Sequence, residues 1–303
     1  MYRSANMSKY RYVLLLLLLS HVCLSATAQQ KPLRILIIKA HPDEAEEYAG
    51  GMAALYAKAG HQVKFVALTN GDVGHWQMTK KALAERRKKE ALKAAAILGV
   101  TYEILNNHDG ELENNVALRK EVVRIIREWK ADMVFTFLPA FGGGHADNMA
   151  AAIAVQQGAG LTAAPLFMPE IPALPKTPFF FIMRDYFTKK LPHKPDIVIP
   201  IDSTIDKKIA SWDAHASQFY EFAPWQKGIL NEVPADSAGK RAFLEKYYAD
   251  FLFPDNDMRE WLKQKLGTDK ANSCKYAEAF EFAPYGRRPN EEEMKRLFPM
   301  LNY

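Results

Sequence analysis

The sequence is poor in cysteine, with two among 303 residues. Cys23 lies in an apolar N-terminal segment, so Cys274 would stand alone in a chain that has lost this segment. A lone cysteine forms neither an intramolecular disulfide nor a cysteine metal cluster. The sequence also lacks low-complexity segments, internal repeats and long linkers, which excludes a repeat protein or a largely disordered chain.

A clustered basic surface is also missing. The most basic stretch, Lys80–Lys93, is interrupted by Glu85 and Glu90. This pattern is typical of a solvated helix face. A nucleic-acid-binding protein carries its positive charge on one patch, so we expect no nucleic-acid partner.

The first 28 residues have the layout of a secretory signal peptide. A basic start precedes the apolar run Val13–Leu19, and Ala26-Thr27-Ala28 provides a small-x-small cleavage site. The run is shorter than the roughly 20 residues that span a bilayer. We therefore expect an exported protein, periplasmic or secreted, with a mature chain of residues 29–303. An uncleaved membrane anchor is the alternative; after cleavage no stable membrane insertion is expected.

Strand-like and helix-like segments alternate along the mature chain. Apolar runs predict strands at Leu33–Ala40, Val63–Thr69, Tyr102–Leu105, Asp132–Phe137, Phe179–Met183 and Asp196–Ile201. Apolar stripes predict helices at Pro42–Gly60, Thr79–Leu98, Leu118–Trp129, after His145 and at Ile205–Phe219, with a mostly helical remainder. This order predicts an α/β fold: a Rossmann-like, doubly wound, mostly parallel sheet with helices on both faces. We expect one domain with a C-terminal helical section.

The segment after the first strand, Ala40–Glu44, carries the clearest chemistry. Ligands of open α/β sheets lie beyond the carboxyl ends of the strands. No G-x-G-x-x-G occurs here, and two acids at a helix start would repel a phosphate. Imidazole and carboxylate together suit a divalent cation, with His41 and Glu44 converging on it and Asp43 available as a base. The alternative is that the acids only cap the helix.

The segment His41–Gly51 (HPDEAEEYAGG) resembles the His-Pro-Asp-Asp…Gly-Gly signature of the PIG-L/LmbE-like N-deacetylases. Further similarity extends over about Leu33 to Pro299, and its segments are Thr69–Asp72, Arg87–Glu90, Leu98–Val100, His145–Asn148, His215–Gln218, Tyr276–Phe280 and Tyr285–Arg287. The first motif is specific, and the later ones are individually weaker.

This resemblance implies a metal-dependent hydrolase, with Zn²⁺ or another divalent metal as cofactor. The expected substrate is a small acetylated amino sugar of the N-acetylglucosamine type. The metal ligands would be His41, Glu44 and Asn148. Asp43 would be the general base, and His145 would polarise the substrate carbonyl or protonate the leaving amine.

Two positions depart from the family pattern. Glu44 stands where the family has Asp, and Asn148 stands where it has a metal-binding His. An amide oxygen is a weaker ligand that suits hard cations better than zinc. Three interpretations remain open: Asn148 holds a weaker site, His145 or Asp147 replaces it as ligand, or the protein binds little metal and is catalytically silent.

Three more residues are predicted to bind substrate. Trp76 would stack on a sugar ring, or else is a partly buried loop aromatic. Arg87 would contact substrate, or else pairs with Glu90 on its helix. His215 would line the pocket, or else is a core histidine on an apolar stripe.

Other residues near the motif are expected to have structural rather than catalytic roles. Asp109 would be a turn residue rather than a carboxylate that orients His41. Glu46 and Glu47 would be solvated. Gly50 and Gly51 each cost about 1 kcal/mol in a helix relative to Ala, so we expect a close approach of neighbouring backbone there.

Three functions are compatible with the sequence. The first is the metal-dependent N-deacetylase, and the second is a non-catalytic sugar-binding relative, motivated by Asn148. The third is a hydrolase of the same fold that acts on another amide or an ester. A Rossmann oxidoreductase is disfavoured because the glycine fingerprint is missing.

Overall fold

Seven strands form one mixed sheet in the computed structural model, which describes residues 31–139, 144–184 and 194–301. The sheet order is β3-β2-β1-β4-β5-β7-β6. The strands are β1 (Arg34–Lys39), β2 (Gln62–Thr69), β3 (Thr101–Asn107), β4 (Met133–Phe137), β5 (Phe179–Met183), β6 (Ile197–Pro200) and β7 (Ala277–Phe282). Strands β1 to β5 pair in parallel, whereas β7 pairs antiparallel with both β5 and β6.

Helices cover both faces of this sheet. Within the described residues they are α1 (Glu44–Lys58), α2 (Lys80–Leu98), α3 (Val116–Trp129), α4 (Ala146–Gly158), α5 (Ile205–Ala214), α6 (Ala223–Gln226), α7 (Ser237–Tyr247), α8 (Asn256–Leu266), α9 (Thr268–Ser273) and α10 (Glu291–Leu297). A π-helical turn, Ser217–Phe222, separates α5 from α6, and four short 3₁₀ turns complete the list: Gly160–Ala163, Leu230–Glu232, Ala249–Phe251 and Pro299–Leu301.

The core lies in two layers, one on each side of the sheet. Along β1, Ile35 and Ile37 belong to one apolar cluster, whereas Leu36 and Ile38 belong to the other. Side chains alternate between the two faces of a strand, so a strand buried on both faces needs a continuous apolar run. The predicted α/β fold, doubly wound and mostly parallel, is therefore confirmed.

The C-terminal half differs from its prediction at two points. The remainder after α5 is mostly helical, as predicted, but it also contains β7, an antiparallel strand inside the sheet. The long helix expected over Ile205–Phe219 ends at Ala214, and His215 follows in a non-helical conformation (φ −86°, ψ 52°). Residues of the π-helical turn that follows line the cavity of the candidate site.

The predicted signal peptide, residues 1–28, lies outside the described residues. The described residues from Leu33 onward belong to one compact unit. Among the described residues, no helix combines the length and the apolar character that a membrane span requires.

The helix after β1 packs closely on the C-terminal section at Gly50 and Gly51. A methyl group at Gly51 would lie 2.6–2.8 Å from three side-chain atoms of Ile201, whereas one at Gly50 would lie 3.4 Å from Cγ of Lys208. The close neighbours are thus side chains rather than the backbone expected from the sequence. The carboxylate of Glu278 on β7 accepts hydrogen bonds from the N–H groups of Gly51 (2.9 Å) and Met52 (2.7 Å).

The adjacent glycines give a matched pair of stability variants. Alanine at either position gains up to about 1 kcal/mol of helix propensity. At Gly51 it also overpacks the branched Ile201 side chain, a change that typically costs about 1–3 kcal/mol. We expect Gly50→Ala to be as stable as the wild type or more stable, and Gly51→Ala to be clearly less stable, in urea unfolding followed by circular dichroism. A Gly51→Ala variant as stable as Gly50→Ala would contradict this packing.

Candidate active site

The site lies where the strand order of the sheet reverses. Strands β1 and β4 are neighbours, and their connections run to opposite sides of the sheet. His41 follows the carboxyl end of β1, and His145 is the N-cap of α4, the helix after β4. Crevices of this kind are the usual ligand sites of open α/β sheets. The topology therefore brings the two histidine-containing motifs together, with the ring centroids of His41 and His145 4.6 Å apart.

Three carboxylates surround the buried ring of His41. Its Nδ1 lies 3.2 Å from Oε1 of Glu44, and its Nε2 lies 3.1 Å from Oδ1 of Asp109 and 3.2 Å from Oδ2 of Asp147. Glu44 also accepts hydrogen bonds from the backbone N–H groups of Ala40 and His41. Its longer side chain thus folds back over the loop after β1 and remains beside the imidazole.

The pKa shifts of these groups describe a site that favours positive charge. Burial would lower the pKa of His41, but Glu44, Asp109 and Asp147 together raise it well above its usual value. Burial would raise the pKa of Asp109, but the hydrogen bond and charge of His41, aided by Arg87, lower it to about 2. The pKa values of Glu44 and Asp147 are also lowered, against the effect of burial, mainly by His41. The carboxylates that favour a protonated ring would equally favour a metal cation in place of a proton.

Asp43 is held in a strained conformation by a buried arginine. Its φ of 119° lies in a region that non-glycine residues rarely adopt. Arg87, 3% exposed, donates to the carbonyl of Pro42 (2.6 Å) and to Oδ1 of Asp43 (3.2 Å). Burial raises the pKa of Asp43 to about 6, although Arg87 opposes the shift. A carboxylate whose pKa lies near neutrality is suited to accept a proton.

Arg87 also fixes the loop after β2. Its Nη1 donates to the carbonyl of Gly71 (3.1 Å), a residue with φ of 67°. The alternative that Arg87 pairs with Glu90 is wrong, because Arg86 is the residue that contacts Glu90 (3.0 Å). Arg87 lines the cavity, and its hydrogen bonds join the loops after β1 and β2. Its predicted contact with substrate stays a prediction.

The donor groups present fit a divalent cation. Asn148 is 5% exposed, and its side-chain oxygen has no hydrogen-bond donor among the described residues. A buried acceptor is rarely left unsatisfied, so an oxygen of this kind beside carboxylates indicates a bound cation or water. His41, His145 and Asp147 also place their ligand atoms within 4.8 Å of one another. The structure thus keeps more than one candidate for the third ligand, as the sequence did.

These groups open into a cavity of about 520 Å³. Its floor is polar and includes His41, Asp43, Glu44, Arg87, Asp109, His145 and Asn148. Another part of the lining, the aromatic wall, comes from the segment between α5 and α8, with Phe219, Phe222, Tyr247, Tyr248 and Phe251. This combination of a polar, reactive floor and an apolar wall is typical of small-molecule sites.

Two predicted substrate residues do not line this cavity. The ring of Trp76 stacks on His75 (4.4 Å between centroids) and on Trp225 (5.2 Å), so other rings already contact it. His215 is fully buried, and its Nε2 lies 2.9 Å from Oε1 of Glu46. Their roles in substrate binding stay predictions. Because His215 is fully buried, it would act on the substrate only indirectly, through the residues that it contacts.

Three acidic residues, Asp109, Glu46 and Glu47, make contacts or line the cavity in ways that the sequence did not predict. Asp109 contacts His41 directly, in addition to preceding a turn at Gly110. Glu46 is fully buried against His215, and Glu47 lines the cavity, so neither is the solvated residue that was expected. The signal available in the sequence is that α1 is apolar on all its other sides, so its acids had no solvated face to occupy.

The sequence is similar to sequences of known deacetylases. Residues 36–158 match the PIG-L family, described as GlcNAc-PI de-N-acetylase. The chain is 28% identical over 195 residues to the diacetylchitobiose deacetylase of Thermococcus kodakarensis, a match that spans 62% of this chain and 71% of the relative. It is 28% identical over 163 residues to 1D-myo-inositol 2-acetamido-2-deoxy-alpha-D-glucopyranoside deacetylase 2 of Saccharopolyspora erythraea, which covers 45% and 60% of the two chains.

Solved structures show the same fold. An N,N'-diacetylchitobiose deacetylase from Pyrococcus horikoshii superposes with a TM-score of 0.62 and 22% identity, over 85% of this chain and 87% of that one. The 4-carboxy-2-hydroxymuconate hydratase GalB from Pseudomonas putida superposes with a TM-score of 0.65 and 20% identity, over 86% and 99%. The fold thus supports more than one reaction, and the function must be argued from the site.

The role of residue 148 can be tested by metal binding. We expect Asn148→His to bind Zn²⁺ more tightly than the wild type, because imidazole is a stronger zinc ligand than an amide oxygen. Asn148→Leu, of similar size but without a donor, should retain less metal. Elemental mass spectrometry after dialysis, with a competing chelator, measures both. If neither variant changes the metal content, Asp147 or His145 completes the site instead.

Proposed function

We propose that the chain is a PIG-L/LmbE-like N-deacetylase, a metal-dependent hydrolase that removes the acetyl group from an N-acetylglucosamine-type amino sugar. The observation that supports this most directly is the buried cluster around His41, with Asp43 held beside it by Arg87. Two relatives are named as deacetylases of acetylated amino sugars, which supports the same substrate class.

The residues that would hold the metal are His41, Glu44 and Asn148, with Asp147 and His145 as the alternatives to Asn148. When bound, a divalent metal would polarise the acetamide carbonyl and lower the pKa of a coordinated water to about 7. Zn²⁺ is the proposed ion, and another divalent cation is the alternative, because an amide oxygen is a poor zinc ligand.

Asp43 is positioned to accept the proton of the attacking water. Its carboxylate lines the cavity, and its contact with Arg87 fixes the direction of one oxygen. The raised pKa of about 6 keeps the group mostly ionised at neutral pH, yet basic enough to accept a proton. The backbone strain at Asp43 is maintained by Arg87, which also holds the carbonyl of Pro42.

His145 is positioned to polarise the substrate carbonyl. Its Nδ1 accepts a hydrogen bond from the N–H of Asp147 (3.3 Å), so in the neutral ring the proton resides on Nε2. The side chain is exposed and lines the cavity, where Nε2–H can stabilise the negative charge that develops on the carbonyl oxygen. The proton that Asp43 accepts from the water can then pass to the leaving amine, and a protonated His145 is the alternative donor.

A non-catalytic sugar-binding protein is the second candidate function, and Asn148 is the observation that favours it. Loss of one imidazole ligand would weaken metal binding while leaving the cavity intact. The metal content of the purified protein separates the two functions. A panel of acetylated sugars and simple amides then separates a sugar deacetylase from a hydrolase of another amide.

We also propose that the protein is exported to the periplasm or secreted. The basic start, the apolar run Val13–Leu19 and the Ala26-Thr27-Ala28 site support this proposal. Expression in the native host followed by N-terminal sequencing should give a chain that begins at Gln29. A chain that retains residues 1–28 in the membrane fraction would instead favour the uncleaved anchor.

The role of Asp43 predicts a separation of metal binding from turnover. Asp43→Asn keeps the shape of the side chain but removes the base, so acetate release should fall by about 10²–10⁴-fold. Metal content should stay at the wild-type level, because Asp43 is not a proposed ligand. The exposed Glu85→Gln on α2 is the matched control and should change neither quantity. Wild-type turnover in Asp43→Asn would refute the assignment of Asp43 as the base.

A further inference from the structure

Glu47 is a carboxylate in the cavity that the proposed reaction does not use. It lies one helical turn beyond Asp43 on α1, so both side chains reach the same face of the helix. Glu47 lines the cavity, and its side chain makes no hydrogen bond or ion pair with any residue in 31–139, 144–184 or 194–301. A half-buried polar group without a protein partner is costly unless water or a ligand satisfies it.

Charged residues surround Glu47. Burial raises the pKa of Glu47 well above its usual value, and the negative charges of Asp43 and Glu44 raise it further. Lys39 and Lys227 oppose this shift. Lys39 is fully buried, with its Nζ 3.1 Å from the ring centroid of Phe137, so it contacts ring faces rather than the cavity. Lys227 is exposed and lines the cavity, which makes it the cation that a ligand can share with Glu47.

The aromatic wall lines the same cavity as Glu47 and Lys227. Tyr248 and Phe251 line the cavity together with Glu47, and Nζ of Lys227 lies 4.8 Å from the ring centroid of Tyr248. A sugar ring presents apolar C–H faces and polar hydroxyl edges, so an aromatic wall with a carboxylate and an ammonium group matches both. These wall residues lie outside residues 36–158, the part of the chain that matches the family.

We propose that Glu47 is a specificity-determining residue that hydrogen-bonds the hydroxyl groups of the substrate sugar, while Lys227 and Tyr248 contact the same ring. This inference rests on the proposed deacetylase function and extends it to the non-acetyl part of the substrate. The substrate class it selects is a polyhydroxylated acetamido ring, rather than a simple or purely apolar amide.

The test compares two substrates that share the acetamido group. N-acetylglucosamine carries ring hydroxyls, whereas N-cyclohexylacetamide has a ring of similar size without them. In Glu47→Leu we expect KM for N-acetylglucosamine to rise about ten- to hundredfold, as for the loss of two hydrogen bonds to the sugar. Its kcat should stay within about twofold, and kcat/KM for N-cyclohexylacetamide should be unchanged or higher.

Glu47→Gln serves as the conservative variant. It keeps the size and hydrogen-bonding capacity of Glu47, so it should retain most of the affinity that Glu47→Leu loses. Glu85→Leu on the exposed side of α2 is the matched surface control. Thermal unfolding checks that each variant is folded. An equal loss of kcat with both substrates in the variants would overturn the inference, as would unchanged kinetics with both.

Binding of glucosamine separates this inference from the proposed function. Calorimetric titration of glucosamine into the intact protein requires no turnover. If neither acetamide is hydrolysed but glucosamine binds the wild type and binds Glu47→Leu about tenfold or more weakly, the deacetylase proposal fails and the role of Glu47 stands. If turnover is normal and glucosamine affinity is the same in both proteins, the role of Glu47 fails and the deacetylase proposal stands.

Discussion

The geometry of the site depends on the electrostatic balance around His41. Glu44, Asp109 and Asp147 bring three carboxylates against one buried imidazole, where unpaired negative charge is costly. Asp147 shares its charge with the N–H groups of Gly110 and Leu112, and Arg87 lies 3.8 Å from Asp109. Three carboxylates at this place require positive charge on or beside the imidazole. A proton on His41 or the proposed divalent cation would supply this charge, and the loops after β1, β3 and β4 are arranged around it.

This balance is connected to the C-terminal section through α1. Glu278 on β7 accepts the N–H groups of Gly51 and Met52 and pairs with the buried Lys208 of α5 (2.6 Å). Removing either partner of this ion pair would leave a buried charge without compensation. Because α1 carries Glu44 and Glu47 and is capped by Asp43, its contact with β7 and α5 fixes the position of the site residues relative to the aromatic wall. The two glycines are the sequence feature that permits this approach.

The sequence was sufficient for the parts of the structure that local pattern controls. Continuous apolar runs predicted β1 to β5, and the motif at His41 predicted the edge of the sheet that carries the site. It was insufficient where tertiary contacts override propensity. The segment of β7, AEAFEF, contains strong helix formers, but Glu278 gains partners only when this segment is a strand beside α1. The break at His215 is likewise explained by its contact with Glu46, a residue 169 positions away.

The same limit applies to the individual residues of the site. Asp109 has a strong local preference for a turn, and its contact with His41 across 68 positions follows only from the parallel neighbours β1, β2 and β3. Glu47 would be assigned to the surface from the sequence alone, because the burial of the helix around it is not visible there.

Asn148 is the opposite case, because the residue type alone already indicated a change at a proposed ligand position. Its unpartnered oxygen, together with the neighbouring carboxylates, gives a donor set richer in oxygen than a two-histidine zinc site. Asp43 and His145 line the same cavity as Asn148. With the proposed ligands, the residue at 148 would therefore affect the affinity and choice of the cation, while the groups proposed for the proton transfers remain in place.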